Sequence, residues 1–211
     1  MTLVTIAASY GAGGSRIAPE LAERLGVPFL GRPPVPGTGG AEADCANEGY
    51  EGRSGLLSRL ASMAVAWGTP AGMTAEELLP DEARRRELEA EVHAFAERGS
   101  GVILGRGAAV LLHGDPRALH VFLDGPKDDR VAQAMAIEAI DRRTAEERLE
   151  RTDRFRRAYV EELYGMNVRE PGVFHLALDS TAIALEDCVE LIAGAARRRG
   201  PGRGRPDRRS E

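Results

Sequence analysis

The sequence predicts an α/β fold built on a parallel sheet, and three observations carry that reading. Short apolar runs rich in β-branched residues alternate with longer stretches of helical periodicity. Strands alternating with helices join as parallel strands through right-handed crossovers. Several of the apolar runs end in glycine or aspartate, the residues a chain uses to turn off the end of a strand. A length of 211 residues suits one domain with a sizeable core, with room for appendages.

The first strand is Leu3 to Ala8, and it runs into the glycine loop around which the rest of the chain is organised. In that loop Gly11, Gly13 and Gly14 stand with only Ala12 between them. Ser15 then opens a helix whose apolar face carries Ile17, Leu21, Ala22 and Leu25. Strand, glycine loop and helix together bind phosphate. Loop residues without side chains let backbone N–H groups converge on an anion, and the helix start adds unpaired N–H groups and a positive dipole end.

The match to the phosphate-loop motif G-x-x-x-x-G-K-[ST] is partial. With Ser15 in the Ser/Thr place, Gly13 fits the second glycine, Ala8 stands at the first, and Gly14 stands where the lysine belongs. The loop keeps the cradle and the hydroxyl and loses the ammonium, and Arg16 is the adjacent cation. The dinucleotide fingerprint G-x-G-x-x-G fits worse, because its third glycine falls on Arg16. The alternative is a plain glycine-rich turn ahead of a helix.

Composition excludes several classes. Apolar residues make up 43% and charged residues 29%, as in an ordinary globular protein. No apolar run approaches the roughly 20 residues of a membrane span, and no secretory signal is expected at the N-terminus. Cys45 and Cys188 form no metal motif and no disulfide framework, which suits a reducing cytoplasm. His93, His113, His120 and His175 are scattered and read as structural or surface residues. The net charge of −5 hides an asymmetry: residues 197–211 carry seven arginines against Asp207 and Glu211, leaving about −10 on the rest. A body of that charge argues against nucleic acid as a partner.

Along the chain, residues 26–30 read as a short second strand. Gly31 to Gly55 holds seven glycines and three prolines and reads as a flexible insert, with a functional lid as the alternative. Leu56 to Trp67 is helix-compatible, and Thr74 with Glu77 forms a capping box. Asp81 to Arg98 reads as a charged helix with an apolar stripe at Leu88, Val92, Phe95 and Ala96. Val102 to Leu104 is a strand, Ala108 to Leu112 a short helix, and Ala118 to Leu123 a further strand. Asp128 to about Arg151 is predicted helical, with a second helix continuing through Tyr164. Phe174 to Asp179 is the last strand. Leu185 to Arg199 closes the fold as a helix with Val189, Leu191 and Ile192 inward, and residues 200–211 form a disordered basic tail.

Ligands of parallel sheets bind at the carboxyl ends of the strands. Arg106, between Gly105 and Gly107 at one such end, is placed to fork onto a second phosphate, with a surface arginine in a turn as the alternative. Asp124, at another, reads as the cap of the next helix rather than a residue near a metal. Arg151, Arg154, Arg156 and Arg157, with Asp153 among them, have the makings of a charge clamp over a transferring phosphoryl group. A solvated, salt-bridged helix is the competing reading.

In combination these motifs resemble the cytidylate kinase-like family, a branch of the P-loop nucleoside monophosphate kinases. The family's Y-G-[SA]-G-G loop is matched by Tyr10-Gly11-Ala12-Gly13-Gly14, and its G-R-G by Gly105-Arg106-Gly107. Its T-D-x-x-R-x-x-Y segment is matched by Thr152, Asp153, Arg156 and Tyr159. Its later glycine and D-P-x-x-Y-D-L segment have counterparts in Gly165 and in Glu170 to Leu176. The resemblance covers roughly residues 1–30 and 100–195. The chain departs from the family in lacking an acidic residue after the second strand, where Gly31-Arg32 stands. It also has His175 for aspartate and Val168 for a common tryptophan. The family shares the missing loop lysine.

The resemblance implies a five-stranded parallel P-loop sheet over residues 1–199, with an insert at 31–55 and a helical lid over 141–165. It implies a phosphotransferase that moves the γ-phosphoryl of ATP to a nucleoside monophosphate or similar small acceptor. A non-catalytic nucleotide-binding or regulatory protein on the same fold is the alternative. Gly11, Ala12, Gly13, Gly14 and Ser15 would cradle the ATP phosphates, and Ser15 would hold Mg²⁺. Arg106, Asp153 and Tyr159 would serve the acceptor. Arg154, Arg156 and Arg157 would neutralise the transition state as the lid closes, with Arg16 as a further substitute for the lysine. Nucleotides are the expected partners, with neither nucleic acid nor membrane.

Overall fold

The computed structural model describes residues 2–31, 82–165 and 172–199. Most of the insert after Gly31, the helix at Leu56 to Trp67, the capping box at Thr74, Val168, Glu170-Pro171 and the basic tail lie outside the described residues. Five strands form one parallel sheet: β1 (Leu3–Ala8), β2 (Phe29–Leu30), β3 (Gly101–Leu104), β4 (Ala118–Asp124) and β5 (Leu176–Asp179). Among the described residues six helices accompany it: α1 (Gly14–Leu25), α2 (Glu82–Glu97), α3 (Ala108–Leu111), α4 (Lys127–Glu138), α5 (Arg142–Tyr164) and α6 (Leu185–Arg198). The order across the sheet is β2-β3-β1-β4-β5. The strand that feeds the glycine loop is therefore central, flanked by β3 and β4.

The period of two along each strand separates two cores. Val4, Ile6 and Ala8 of β1 and Leu119, Val121 and Leu123 of β4 pack on Ile17, Leu21, Val189 and Ile192 of α1 and α6. Leu3, Ile103 and Ala118 face the other way onto Val92, Phe95 and Ala96 of α2 and onto Ala108 and Leu112. A smaller cluster of Tyr10, Val131, Ala134, Ala145 and Leu149 ties the loop to α4 and α5. Each fully buried Leu or Ile contributes about 1.5–3 kcal/mol, so these clusters hold the loop's surroundings rigid.

Two sequence expectations need correction. The predicted continuous helix from Asp128 to Arg151 breaks earlier, between Glu138 and Arg142. Ala139 takes a left-handed conformation, and the Asp141 side chain accepts a hydrogen bond from Thr144 N at 2.9 Å, capping α5. Leu191 is not inward but 49% exposed, and Cys188 is fully buried in its place. The buried stripe of α6 runs through Cys188, Val189, Ile192, Ala193 and Ala196, and Leu191 lies one helical step off it.

His120 is fully buried on β4. Its Nε2 lies 3.1 Å from Leu112 O, which can only accept, so Nε2 carries the proton; Nδ1 then accepts from Thr5 Oγ1 at 2.7 Å. The ring stacks on His175 at 4.9 Å. Burial, and next the neighbouring His175, lower its pKa from 6.5 to about 4. The unfolded chain takes up this proton near pH 6.5, and the folded chain only near pH 4. Stability is thus fully present above about pH 6.5 and falls as the pH drops toward 4, by about 3 kcal/mol if this group acts alone. A melting-temperature series from pH 7.5 to 4.5 should show that decline, and a His120→Leu variant should lose most of the slope. A flat wild-type profile in that window contradicts the buried neutral imidazole.

Candidate functional site

The loop leaves the central strand with its first turn held from two sides. Ser9 N donates to Leu123 O at 3.0 Å, and Ala12 N donates to Ser9 O at 3.2 Å. Gly11 and Gly13 have φ of 76° and 68°, the left-handed region glycine adopts without strain. Gly13 is the N-cap of α1, which begins at Gly14 rather than at Ser15. No side chain caps it, and its first turn carries no acidic residue. Arg16 N and Ile17 N both reach Gly13 O. Among the described residues the amides of Gly13 and Gly14 have no hydrogen-bond acceptor. Orphan donors at an uncompensated positive helix end are what an anion needs.

The carbonyls of the same loop are occupied. Tyr10 O accepts from Arg130 Nη1 at 2.8 Å, Gly11 O from Gln133 Nε2 at 2.9 Å, and Ala12 O from Ser180 Oγ at 2.8 Å. Tyr10 N donates to Asp153 Oδ1 at 2.8 Å, and Asp153 Oδ2 pairs with Arg130 Nη1 at 2.7 Å. Arg130 also donates through Nε to Gly125 O at 3.0 Å, with Asp124 Oδ1 3.5 Å away. Arg156 Nη1 donates to Ala8 O at 3.0 Å. The middle of α5 is thereby tied to the chain segment Ala8–Tyr10.

A crevice over the loop is lined by Ser9, Gly11, Gly13, Gly14, Ser15, Ala134, Ile137 and Glu138. Glu138 is ion-paired with Arg148 at 2.5 Å. Burial, and then the Glu138 carboxylate, push the Tyr10 phenol up. Across the sheet, Arg106 has φ of 59° and donates to Gly31 O at 2.5 Å and Glu91 Oε2 at 2.6 Å. Tyr164 packs against Gly107, and Tyr159 lies 6.1 Å from Tyr164, edge to face. Burial raises both phenols.

The family model of the cytidylate kinase-like family matches residues 3–182. The chain belongs to the cytidylate kinase-like family. Its structure is similar to that of an uncharacterized protein from Eubacterium ventriosum ATCC 27560, with a TM-score of 0.61 and 17% identity over 93% of this chain and 99% of that one. It is also similar to a gluconokinase from Sinorhizobium meliloti 1021, with a TM-score of 0.51 and 18% identity over 93% and 92% of the two chains. A sugar kinase from Janibacter sp. HTCC2649 gives a TM-score of 0.50 and 20% identity over 95% and 96%. No curated protein matches the sequence. The fold is that of the P-loop kinases: a five-stranded parallel sheet flanked by helices.

Within this cytidylate kinase-like chain the predicted residues fall into separate places. Gly11 to Ser15 run from the loop at the carboxyl end of β1 into the first turn of α1, with Ala12 fully buried. Arg106 and Tyr159 stand in one neighbourhood beyond β3, close enough that Arg106 affects the Tyr159 phenol. Asp153 stands instead at the loop, with both oxygens engaged. Arg154 and Arg157 are exposed, and Arg156 points to the loop, two residues from Arg154 and so on another side of the helix. Arg16 is exposed on the first turn of α1. Asp124 does not cap α4: the N-cap is Pro126, with no side-chain bond. Asp124 lies beside Arg130 because the chain turns at Gly125 before the helix begins.

Sequence reasoning missed Arg130, Gln133 and Ser180. Arg130 and Gln133 share a helix face at i,i+3, just after a strand that ends beside β1, and that placement was the available signal. Ser180 follows directly on the end of β5 and offered none.

Proposed function

We propose that the chain is a nucleotide-binding phosphotransferase that moves the γ-phosphoryl of ATP to a nucleoside monophosphate or similar small acceptor. The observation that carries this is the loop itself: orphan amides of Gly13 and Gly14 at an uncapped helix start, at the carboxyl end of the central strand. Gly11, Ala12, Gly13, Gly14 and Ser15 cradle the nucleotide phosphates. Among the described residues no group of three or more His, Cys, Asp or Glu side chains is placed to hold a metal. That fits Mg²⁺, which is commonly held by one or two protein oxygens together with substrate phosphates. The Ser15 hydroxyl is the protein oxygen for it, and the ion supplies charge neutralisation on the phosphates.

Arg106 and Tyr159 serve the acceptor. For Arg106 to take a phosphate it must exchange or share its Glu91 carboxylate. Arg156 already lies at the loop, whereas Arg154 and Arg157 are exposed on other sides of the same helix and reach the transferring group only through a movement of that helix. A non-catalytic nucleotide-binding role is the second reading, favoured by one feature: Gly14 stands at the lysine position. Losing one such electrostatic contact costs about 10²–10³ in rate.

The test is a melting-temperature series with Mg-ATP, followed by turnover against a panel of nucleoside monophosphates and small phosphorylated or hydroxylated acceptors. Ligand at 100 times its dissociation constant stabilises by about 2.7 kcal/mol. Binding with transfer supports the first reading. Binding without transfer above background supports the second. The absence of any shift with nucleotide or pyrophosphate ends both.

A further inference from the structure

We propose that Arg130, Gln133 and Ser180 are positioning residues that aim the amides of the phosphate loop, supplying by preorganisation part of what the loop loses with its lysine. The proposal rests on the reading of this loop as a phosphate site.

In a trans peptide the carbonyl of one residue and the N–H of the next point to opposite sides of the peptide plane. Tying back the carbonyls of Tyr10, Gly11 and Ala12 therefore orients the N–H groups of Gly11, Ala12 and Gly13. The Ala12 amide is used on Ser9 O, and the Gly13 amide is left facing away from the tethers, next to that of Gly14. Three of the four residues Gly11 to Gly14 are glycine, so the loop has little rotational stiffness of its own. Its stiffness comes from outside. Arg130 and Gln133 reach it from α4, and Ser180 reaches it from the turn after β5. Arg130 is 5% exposed and Ser180 fully buried, so water competes poorly for these bonds. With a tether removed, a peptide plane is free to turn and present its carbonyl to the anion, which repels it. A lysine-bearing loop can offset such disorder with a full positive charge. The residues Gly11 to Gly14 carry no charge of their own, so the orientation of their dipoles weighs directly on affinity.

The experiment uses the full chain and inorganic pyrophosphate as the probe. Gln133→Met removes one donor at similar volume on a half-buried side chain, and Ser180→Ala removes another on a different element. Each should weaken pyrophosphate binding about fivefold, the size of one lost hydrogen bond, and the double variant by roughly the product. The Gln133→Met protein should melt within about 2 °C of the wild type, since only one partly exposed contact is lost. In ¹H–¹⁵N spectra of the unliganded variants, the Gly11 and Gly13 amides should shift or broaden, while glycines outside the loop such as Gly26 and Gly114 keep their positions. Wild-type affinity in both variants overturns the proposal while leaving the phosphate site standing. If Gln133→Met loses stability but not affinity, the tether is structural only, and the proposal fails in the same way. A wild-type protein that binds no pyrophosphate overturns the underlying reading as well.

Discussion

Replacing Gly11 by alanine should destabilise the protein by roughly 2–5 kcal/mol and abolish phosphate binding. Two costs combine. The position has φ of 76°, where an L-residue is penalised by about 1–2 kcal/mol. A Cβ there would also fall well inside contact distance of the Arg130 carbonyl oxygen, a backbone atom that cannot swing aside. Relief requires the loop and α4 to separate, which breaks the Arg130 and Gln133 contacts as well. For a chain of this size the loss corresponds to a fall in melting temperature on the order of 10 °C. Gly26→Ala is the control. Its φ is 65°, but a Cβ meets nothing within 4 Å, so only the backbone penalty of about 1–2 kcal/mol applies. Equal losses in the two variants, measured by urea unfolding, would contradict the close approach of loop and helix.

Arg130→Met should cost about 2–4 kcal/mol, because it removes a buried cation from partly buried carboxylate partners and leaves those anions behind. Arg130 bonds Tyr10 O, Gly125 O and Asp153, and lies within 3.5 Å of Asp124. Without it, Asp153 and Asp124 face the same vacated space as like charges, and the Tyr10 carbonyl loses its donor. A second substitution separates these contributions. Asp153→Asn keeps an acceptor for the Tyr10 amide and removes one of the charges. The double variant should therefore be less destabilised than the two single losses together, by about 0.5–3 kcal/mol of coupling. A loss below about 1 kcal/mol for Arg130→Met would mean that the guanidinium is solvated and the brace is absent.

The first third of the site was legible because it is local. A β-branched run, three closely spaced glycines and an amphipathic helix succeed one another within 25 residues, and each states its structure through its own periodicity and backbone freedom. The strands at Gly101–Leu104 and Ala118–Asp124 were legible for the same reason, since each is an apolar run closed by a turn residue. The break between α4 and α5 was misplaced because neither glycine nor proline marks it: the chain turns through a left-handed Ala139, a residue that reads as an ordinary helix former. The capping pair Asp141 and Thr144 was the remaining clue. Leu191 was read as inward from hydrophobicity alone, although its angular position sets it off the buried stripe.

The sequence by itself determined the fold class, the order of the elements, the glycine loop and the absence of its lysine. It also placed three arginines together between residues 154 and 157. Tertiary structure alone decided what those residues face. Arg130 and Tyr10 are 120 positions apart, and Ala12 and Ser180 are 168 apart. Such contacts exist because the sheet order puts β4 and then β5 beside β1. The same packing turned Asp153 from a residue expected at the acceptor into one half of the loop's brace, and set Arg156 at the loop while Arg154 and Arg157 face solvent. Periodicity reports which side of a helix is apolar. It carries no record of which distant backbone atom a polar side chain will meet, because that depends on how strands far apart in the chain align in the sheet.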